Sequence, residues 1–277
     1  MNKIYFFYGR IIIMMSVILF SACRKGVIEV TEVTEVTKPL RIVQLCDPQL
    51  GFGGFDHDVA NLEKAVTLIN DLKPDMVLIA GDMVNDHSDE QAIATFKDII
   101  AHIKYPILLT PGNHDIDFTM EGLERYHKYF GDDYGKTECN GYCIISVNSL
   151  LWWTKAPQEL VECHDNWLIN TLQQAKKEEQ PIILLAHIPL FISSVDENDD
   201  YFNLPKTKRQ EIFNLCEDNG VFLYLAGHTH TTFRNEYKGI AFLNGETTSL
   251  NFDNCPFGFR LLTIYSPNNF EWEFIAL

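Results

Sequence analysis

From Leu40 onward, short continuous apolar runs alternate with longer stretches whose apolar residues recur every three or four positions. Short apolar runs bounded by turn-forming residues predict buried strands, and the 3.6-residue spacing predicts amphipathic helices. On this basis strands are expected over 41–46, 76–80, 107–110, 143–147, 181–186 and 221–226. Helices are expected over 57–73, 88–102, 165–178 and 206–218. In the first helix Val59, Leu62, Val66 and Ile69 fall on one face. From Thr232 onward the pattern reads as successive strands. Strands alternating with helices predict an α/β domain whose functional groups gather where the strands end. The chain's 277 residues leave room for two domains. No repeat or long linker interrupts 40–277, so one domain is expected there.

The first residues follow a different pattern. Lys3 and Arg10 precede an apolar run over 11–20, and Ser21-Ala22-Cys23 follows. Such a run is too short for a hydrocarbon core, which needs about 20 residues, but it suits an export signal. Small residues before a cysteine resemble the lipobox of bacterial lipoproteins, with Phe20 standing where leucine is usual. The expectation is a signal peptide over 1–22 and acylation of Cys23. An ordinary signal peptide cut near Ala22 is the alternative. Residues 23–39, with the polar repeat Val30-Thr-Glu-Val-Thr-Glu-Val-Thr37, read as the acylated cysteine and a tether. Extended, that tether would reach about 50 Å; a charged strand on the domain edge is the competing reading. The protein is thus expected outside the cytoplasm, lipid-anchored to a bacterial membrane, periplasmic or at the cell surface, and touching membrane only through its anchor.

Composition narrows the class. Apolar residues make up 46% and aromatic residues 12%, and the mean hydropathy is -0.07. These values exclude a disordered chain, a coiled coil and a polytopic membrane protein. Acidic side chains outnumber basic ones 38 to 22, for a formal charge of -16. Loss of residues 1–22 would remove Lys3 and Arg10 and no acid, giving -18. So acidic a surface argues against nucleic-acid binding, and phosphate chemistry would need positive charge from a metal. After Cys23 come Cys46, Cys139, Cys143, Cys163, Cys216 and Cys255, with no CxxC pair to suggest a thiolate zinc site. Cys46 and Cys216 sit in apolar runs as buried thiols would. Cys139 and Cys143 flank the turn Asn140-Gly141, which leaves a local bridge open.

Polar residues recur where the strands stop. Asp47-Pro-Gln49 ends the first, Gly81-Asp82 the second and Gly112-Asn-His-Asp115 the third; His187 and Gly227-His-Thr-His230 end two later runs. A single Gly-Asp after a strand is ordinarily a turn. Five such blocks bring carboxylates, amides and imidazoles to one sheet edge. Oxygen and nitrogen donors without sulfur suit Mn, Fe, Zn or Mg-type ions, and a set this large suits two of them.

In this order the blocks resemble the signature of the calcineurin-like metallophosphoesterases. Asp47-Pro-Gln49, Gly51, His187-Ile-Pro-Leu-Phe191 and Asp199-Asp-Tyr-Phe-Asn-Leu204 are similar to the subgroup typified by calcineurin-like phosphoesterase domain-containing protein 1, whose eukaryotic members are described as protein serine/threonine phosphatases. The resemblance spans nearly all of 40–265. It implies a four-layer sandwich of two mixed sheets flanked by helices. It also implies two divalent or trivalent metal ions, one held by Asp47, Gln49, Asp82 and His230, the other by Asp82, Asn113, His187 and His228. A hydroxide between the ions would attack phosphorus, and His114 would contact phosphate and protonate the leaving oxygen. Gln49 departs from the wider family, where histidine is usual, and agrees with the subgroup.

The remaining features carry less. Gly51-Phe-Gly-Gly54 lacks the Lys-Ser/Thr of a Walker loop and reads as a flexible loop rather than a phosphate cradle. Trp152-Trp153 is expected to pack under a loop, with a place in the substrate cleft as the alternative. The acidic run 196–200 reads as a solvated loop, and Ser193 and Ser194 lack a Gly-x-Ser-x-Gly elbow. The function expected is a metal-dependent phosphoesterase acting on a phosphorylated substrate, foremost a phosphomonoesterase. The alternatives are a phosphodiesterase on nucleotides or lipid head groups and a non-catalytic lipoprotein that binds phosphorylated ligands.

Overall fold

The computed structural model describes residues 38–277; the signal, Cys23 and all of the tether before Lys38 lie outside the described residues. Two mixed sheets form the centre. The first has the order β11-β10-β1-β2-β3 and the second β4-β5-β6-β7-β9-β8. In the first, β1 (Leu40–Leu45), β2 (Met76–Ile79) and β3 (Ile107–Leu109) run parallel, and β10 (Gly258–Ser266) and β11 (Asn269–Ala276) are added antiparallel. In the second, β5 (Tyr142–Ser146), β6 (Ile182–Leu185), β7 (Val221–Ala226) and β9 (Ile240–Asn244) are parallel. Their antiparallel edges are β4 (Gly135–Cys139) and β8 (Phe233–Tyr237).

Side-chain alternation divides each buried strand between two layers. In β1, Leu40 and Ile42 join a core with Leu78, Ile183, Leu185 and Leu223, where the two sheets face each other. Val43 and Leu45 turn the other way, towards Leu62, Val66 and Ile69 of α1 (Phe55–Leu72). The helices α2 (Glu90–Ile100), α5 (Gln158–Lys177) and α6 (Lys206–Asn219) complete the outer layers by burying Phe96, Leu168 and Phe213. This is the expected four-layer α/β sandwich. Among the described residues no helix is long and apolar enough to cross a membrane.

Three corrections emerge. The helix expected from 165 begins at Gln158, behind Pro157; its first turns carry Glu159 and Glu162 and show little apolar periodicity. Helices α3 (Met120–Phe130) and the short α4 (Leu150–Trp153) were not expected. The third concerns the hairpin at Asn140-Gly141. It forms, but Cys139 pairs with Tyr142 while Cys143 pairs with Glu138. The two thiols therefore point to opposite faces of the sheet, and neither is bonded to a cysteine among the described residues.

Candidate metal centre

The parallel strands of both sheets end at one edge, and every strand-end motif converges there. Asp82 stands at the centre. Its carboxylate shares one group of donors with His187 and His228 and another with Asp47 and His230, the donor atoms of each group lying within 4.8 Å of one another. The Asn113 amide oxygen lies 3.1 Å from His187 Nε2. Gln49 is 1% exposed, and its amide oxygen has no partner among the described residues.

Four imidazoles are aimed by the main chain. His187 Nδ1 donates to the Ala80 carbonyl at 2.7 Å, and His228 Nε2 to that of Tyr201 at 3.0 Å. His230 Nδ1 donates to the Leu250 carbonyl, and His114 Nδ1 to that of Asn85 at 2.8 Å. A carbonyl accepts only from N–H, so in a neutral ring the opposite nitrogen carries the lone pair, the arrangement metal-binding histidines use. His187 Nε2 then faces Asn113 Oδ1 and, at 3.4 Å, Asp82 Oδ2. Atoms converging like this favour positive charge between them, as a proton on the imidazole or as a metal ion.

The buried charges agree. Burial raises the Asp47 carboxyl above its usual range, against the pull of His230 and His187. Burial opposes the charge of Asp82, but His187 beside it and the His114 N–H hold its carboxyl below that range. Burial would depress His187, yet the Asp82 and Asp47 carboxylates push it up to about 9. His228, buried next to His187, is pushed down to about 3. Among the described residues neither Lys nor Arg lines the adjoining cavity. The donor set fits hard or borderline cations.

Close backbone packing makes room for these groups. A Cβ on Gly112 would stand 2.1 Å from the Asp82 amide nitrogen and Oδ1, and one on Gly227 would stand 2.5 Å from Asp47 Oδ2. Asp115 of the third motif turns away from the donors. It accepts from the amides of Met83, Val84 and Gly112, so its part is to hold the second and third motifs together.

Several participants carried no functional signal in the sequence. Asp58, fully buried on α1, accepts from the amides of Gly51 and Gly53 and from Ser249 Oγ. The glycine loop after the first motif thus cradles the protein's own carboxylate. Phe52, Tyr201, Phe202 and Phe252 line a cavity of about 190 Å³ over Asp82 and the imidazoles. Tyr201 and Phe202 lie in a segment singled out above, without a role; Phe252 sits in the β9–β10 connection, where nothing marked it. The tryptophans divide. Trp152 is buried and donates to Asp165, while Trp153 reaches the cleft wall, donating to the Tyr201 carbonyl with its ring 5.3 Å from His228. The acidic run is more than a solvated loop, since Glu197 accepts from the amides of Ile192, Ser193 and Ser194. Ser193 Oγ donates to the same carboxylate and serves no nucleophilic arrangement.

These features define a class, and comparison with known proteins agrees. A family model described as Calcineurin-like phosphoesterase matches residues 40–232, and the chain belongs to that family; it is a metallophosphoesterase. Among its relatives is a Danio rerio protein named serine/threonine-protein phosphatase CPPED1, 30% identical over 271 residues, which cover 88% of this chain and 87% of the relative. A protein of Vesicomyosocius okutanii named probable cyclic nucleotide phosphodiesterase is 26% identical over 211 residues, covering 74% of this chain and 84% of its own. The fold is shared with the crystal structure of a dimetal phosphatase from Danio rerio, at a TM-score of 0.67 and 11% identity, covering 82% of this chain and 93% of that one.

Proposed function

We propose that the protein is a phosphomonoesterase working with two metal ions, one held by Asp47, Gln49, Asp82 and His230, the other by Asp82, Asn113, His187 and His228. The observation that carries this is the membership of Asp82 in both donor groups. One carboxylate shared by two sets of ligands is what a pair of neighbouring cations requires. Bound there, the cations would supply Lewis-acid charge to phosphate oxygens and activate water. Manganese, iron, zinc and magnesium all suit the donors.

The remaining work falls to the chain's own residues. His114 lines the cavity with Nδ1 held by Asn85 and its main-chain N–H bonded to Asp82 Oδ1 at 2.9 Å. In the protonated ring, whose Nδ1–H stays on Asn85, Nε2 would deliver its proton to the leaving oxygen, a role worth about 10²-fold or more in kcat. Asn113 Nδ2 donates to the Tyr201 hydroxyl at 3.4 Å, which steadies the amide that also faces His187. A monoester is favoured by the relatives named phosphatases; the relative named as a phosphodiesterase supports the second reading, hydrolysis of diesters. The metal-reconstituted protein, tested with mono- and diesters of matched leaving groups, separates them. Faster diester turnover would reverse the assignment, and His114→Ala should keep its metal while losing turnover.

For location, the basic start, the apolar run over 11–20 and Cys23 support a lipid-anchored protein outside the cytoplasm. Cys23→Ser should release it from membranes or leave it unprocessed. Wild-type protein that partitions into the aqueous phase of a detergent extraction would overturn the anchor.

A further inference from the structure

The cavity over the metal-binding groups is walled by an arc of aromatic rings drawn from separate connections. Phe52, after β1, lies 6.2 Å from Phe252 in the β9–β10 connection. Phe252 lies 6.4 Å from Phe202, Phe202 lies 5.1 Å from Tyr201, and Tyr201 lies 5.2 Å from Trp153 of α4. Each junction is edge-to-face, with interplanar angles of 64° to 90°. One ring is laid flat: Phe252 stacks on His230 at 4.8 Å and 18°. Tyr201 and Phe252, 54% and 49% exposed, line the cavity and yet stand open to solvent. Exposed aromatic side chains gathered at the mouth of a polar site mark a surface that receives something.

Charge restricts what that is. None of the ten residues lining the cavity is Lys or Arg, and the chain carries a formal -16. A second or third phosphate beyond the metal-bound one would meet aromatic edges and an acidic surface, with no cation to offset it. A neutral planar group would find rings to pack against, edge-to-face or stacked.

We propose that Phe52, Tyr201, Phe202 and Phe252 form the specificity-determining wall of this site and select phosphomonoesters of aromatic alcohols, one phosphoryl group followed directly by a ring, over aliphatic monoesters and polyphosphates. This rests on the phosphomonoesterase reading above. Rates alone cannot test it, because aryl oxides are intrinsically better leaving groups. Phosphonates avoid the difficulty, since they are not hydrolysed and differ only in the attached group. The Mn-loaded protein is titrated calorimetrically with phenyl-, hexyl- and methylphosphonate and with inorganic phosphate. Phenylphosphonate should bind about tenfold or more tighter than methylphosphonate, as ring packing added to the larger buried apolar area gives. In Phe202→Ala/Phe252→Ala, and in Phe202→Leu/Phe252→Leu, which keeps apolar bulk, the phenyl-to-methyl ratio should fall towards unity. Any disturbance of His228 or His230 would weaken both ligands alike and cancel in the ratio.

Equal affinity for phenyl- and methylphosphonate, with inorganic phosphate still bound, overturns the wall and leaves the phosphoesterase standing. Hexylphosphonate binding as tightly as phenylphosphonate overturns the preference for a ring. Failure of the metal-loaded wild type to bind inorganic phosphate or any phosphonate overturns the reading of the site itself.

Discussion

Gly112 offers the sharpest test of the proposed bridging role of Asp82. An alanine methyl there would lie 2.1 Å from both the Asp82 amide nitrogen and its Oδ1, and 2.7 Å from Cγ, where real contacts essentially never fall below 3.0 Å. Relief needs a movement of about 1 Å by Asp82 or by the third motif, and misplacing a catalytic group by that much costs about 10²-fold. Neither can slide alone. The Asp82 carbonyl accepts from the Gln49 amide at 2.7 Å, and its Oδ1 accepts from the His114 amide at 2.9 Å. Gly112 itself donates to Asp115 at 2.8 Å. Gly112→Ala should therefore lose bound metal and about 10²-fold in kcat/KM while keeping its fold by circular dichroism. Gly135→Ala is the control, its methyl meeting nothing nearer than Ser146 Oγ at 3.9 Å. Elemental analysis and steady-state kinetics decide the matter. Gly112→Ala with wild-type metal content and turnover would refute both the close packing and the centrality of Asp82.

Further expectations follow from the same geometry. Asp82→Asn should lose more metal than His228→Ala, because one residue serves both donor groups and the other serves one; two metals per chain in Asp82→Asn would remove the bridge. The proposed ligation by Gln49 would set a neutral oxygen where the wider family has imidazole, so Gln49→His should gain zinc affinity at one of two sites and little for manganese. Isotherms unchanged for both ions would tell against direct coordination. Away from the site, burial opposes the charge of Asp165, but His164, Lys208 and Trp152 together hold its carboxyl at about 2, against 3.8 for an ordinary aspartate. A carboxyl depressed in the folded state stabilises above its unfolded pKa and ceases to as pH falls through its folded one. For this partly exposed group that is on the order of 1 kcal/mol. Asp165→Asn should therefore flatten the loss of thermal stability between about pH 4 and pH 2; an unchanged acid limb would contradict it.

The strands were legible because most of them are buried on both sides. Runs such as Ile182–Leu185 and Val221–Ala226 have no exposed residue, so an unbroken apolar string is their only workable sequence. The edge strand β4 was not legible, since Gly-Lys-Thr-Glu-Cys alternates between half-buried and exposed positions without apolar bulk. Helix α3 hid for a different reason. It buries only Gly122 and Tyr126 fully, and its start is marked by a Thr119 cap rather than by periodicity. The polar donors stood out because each follows an apolar strand, buried in every case but the half-buried β3. The aromatic wall and the Asp58 clamp did not, because a Phe or Asp in a connection has no local pattern; only the fold brings Phe252 beside Phe52, and Ser249 beside Asp58.

What brings the donors together is backbone conformation as much as side-chain choice. Asp47, Gln49, Asp82, His228 and His230 all have positive φ, between 34° and 70°. Left-handed backbone costs a non-glycine residue about 1–3 kcal/mol and persists only where the surroundings enforce it. Here the enforcement is mutual. The Gln49 amide donates to the Asp82 carbonyl and the Gly227 amide to that of His187. The His228 amide donates to both oxygens of Asp47, at 3.0 and 3.1 Å. Thr247 Oγ1 donates to the Asp47 carbonyl at 2.7 Å. Each strand end is thus held in its strained turn by a group from another, and the two sheets are joined through the donor residues themselves. An extended strand sends successive side chains to opposite faces. Residues two apart share a face, and Asp47 with Gln49, and His228 with His230, keep that pairing beyond the strand ends. Groups tied together in this way act as a unit, so the losses from substituting two of them should fall well short of additive.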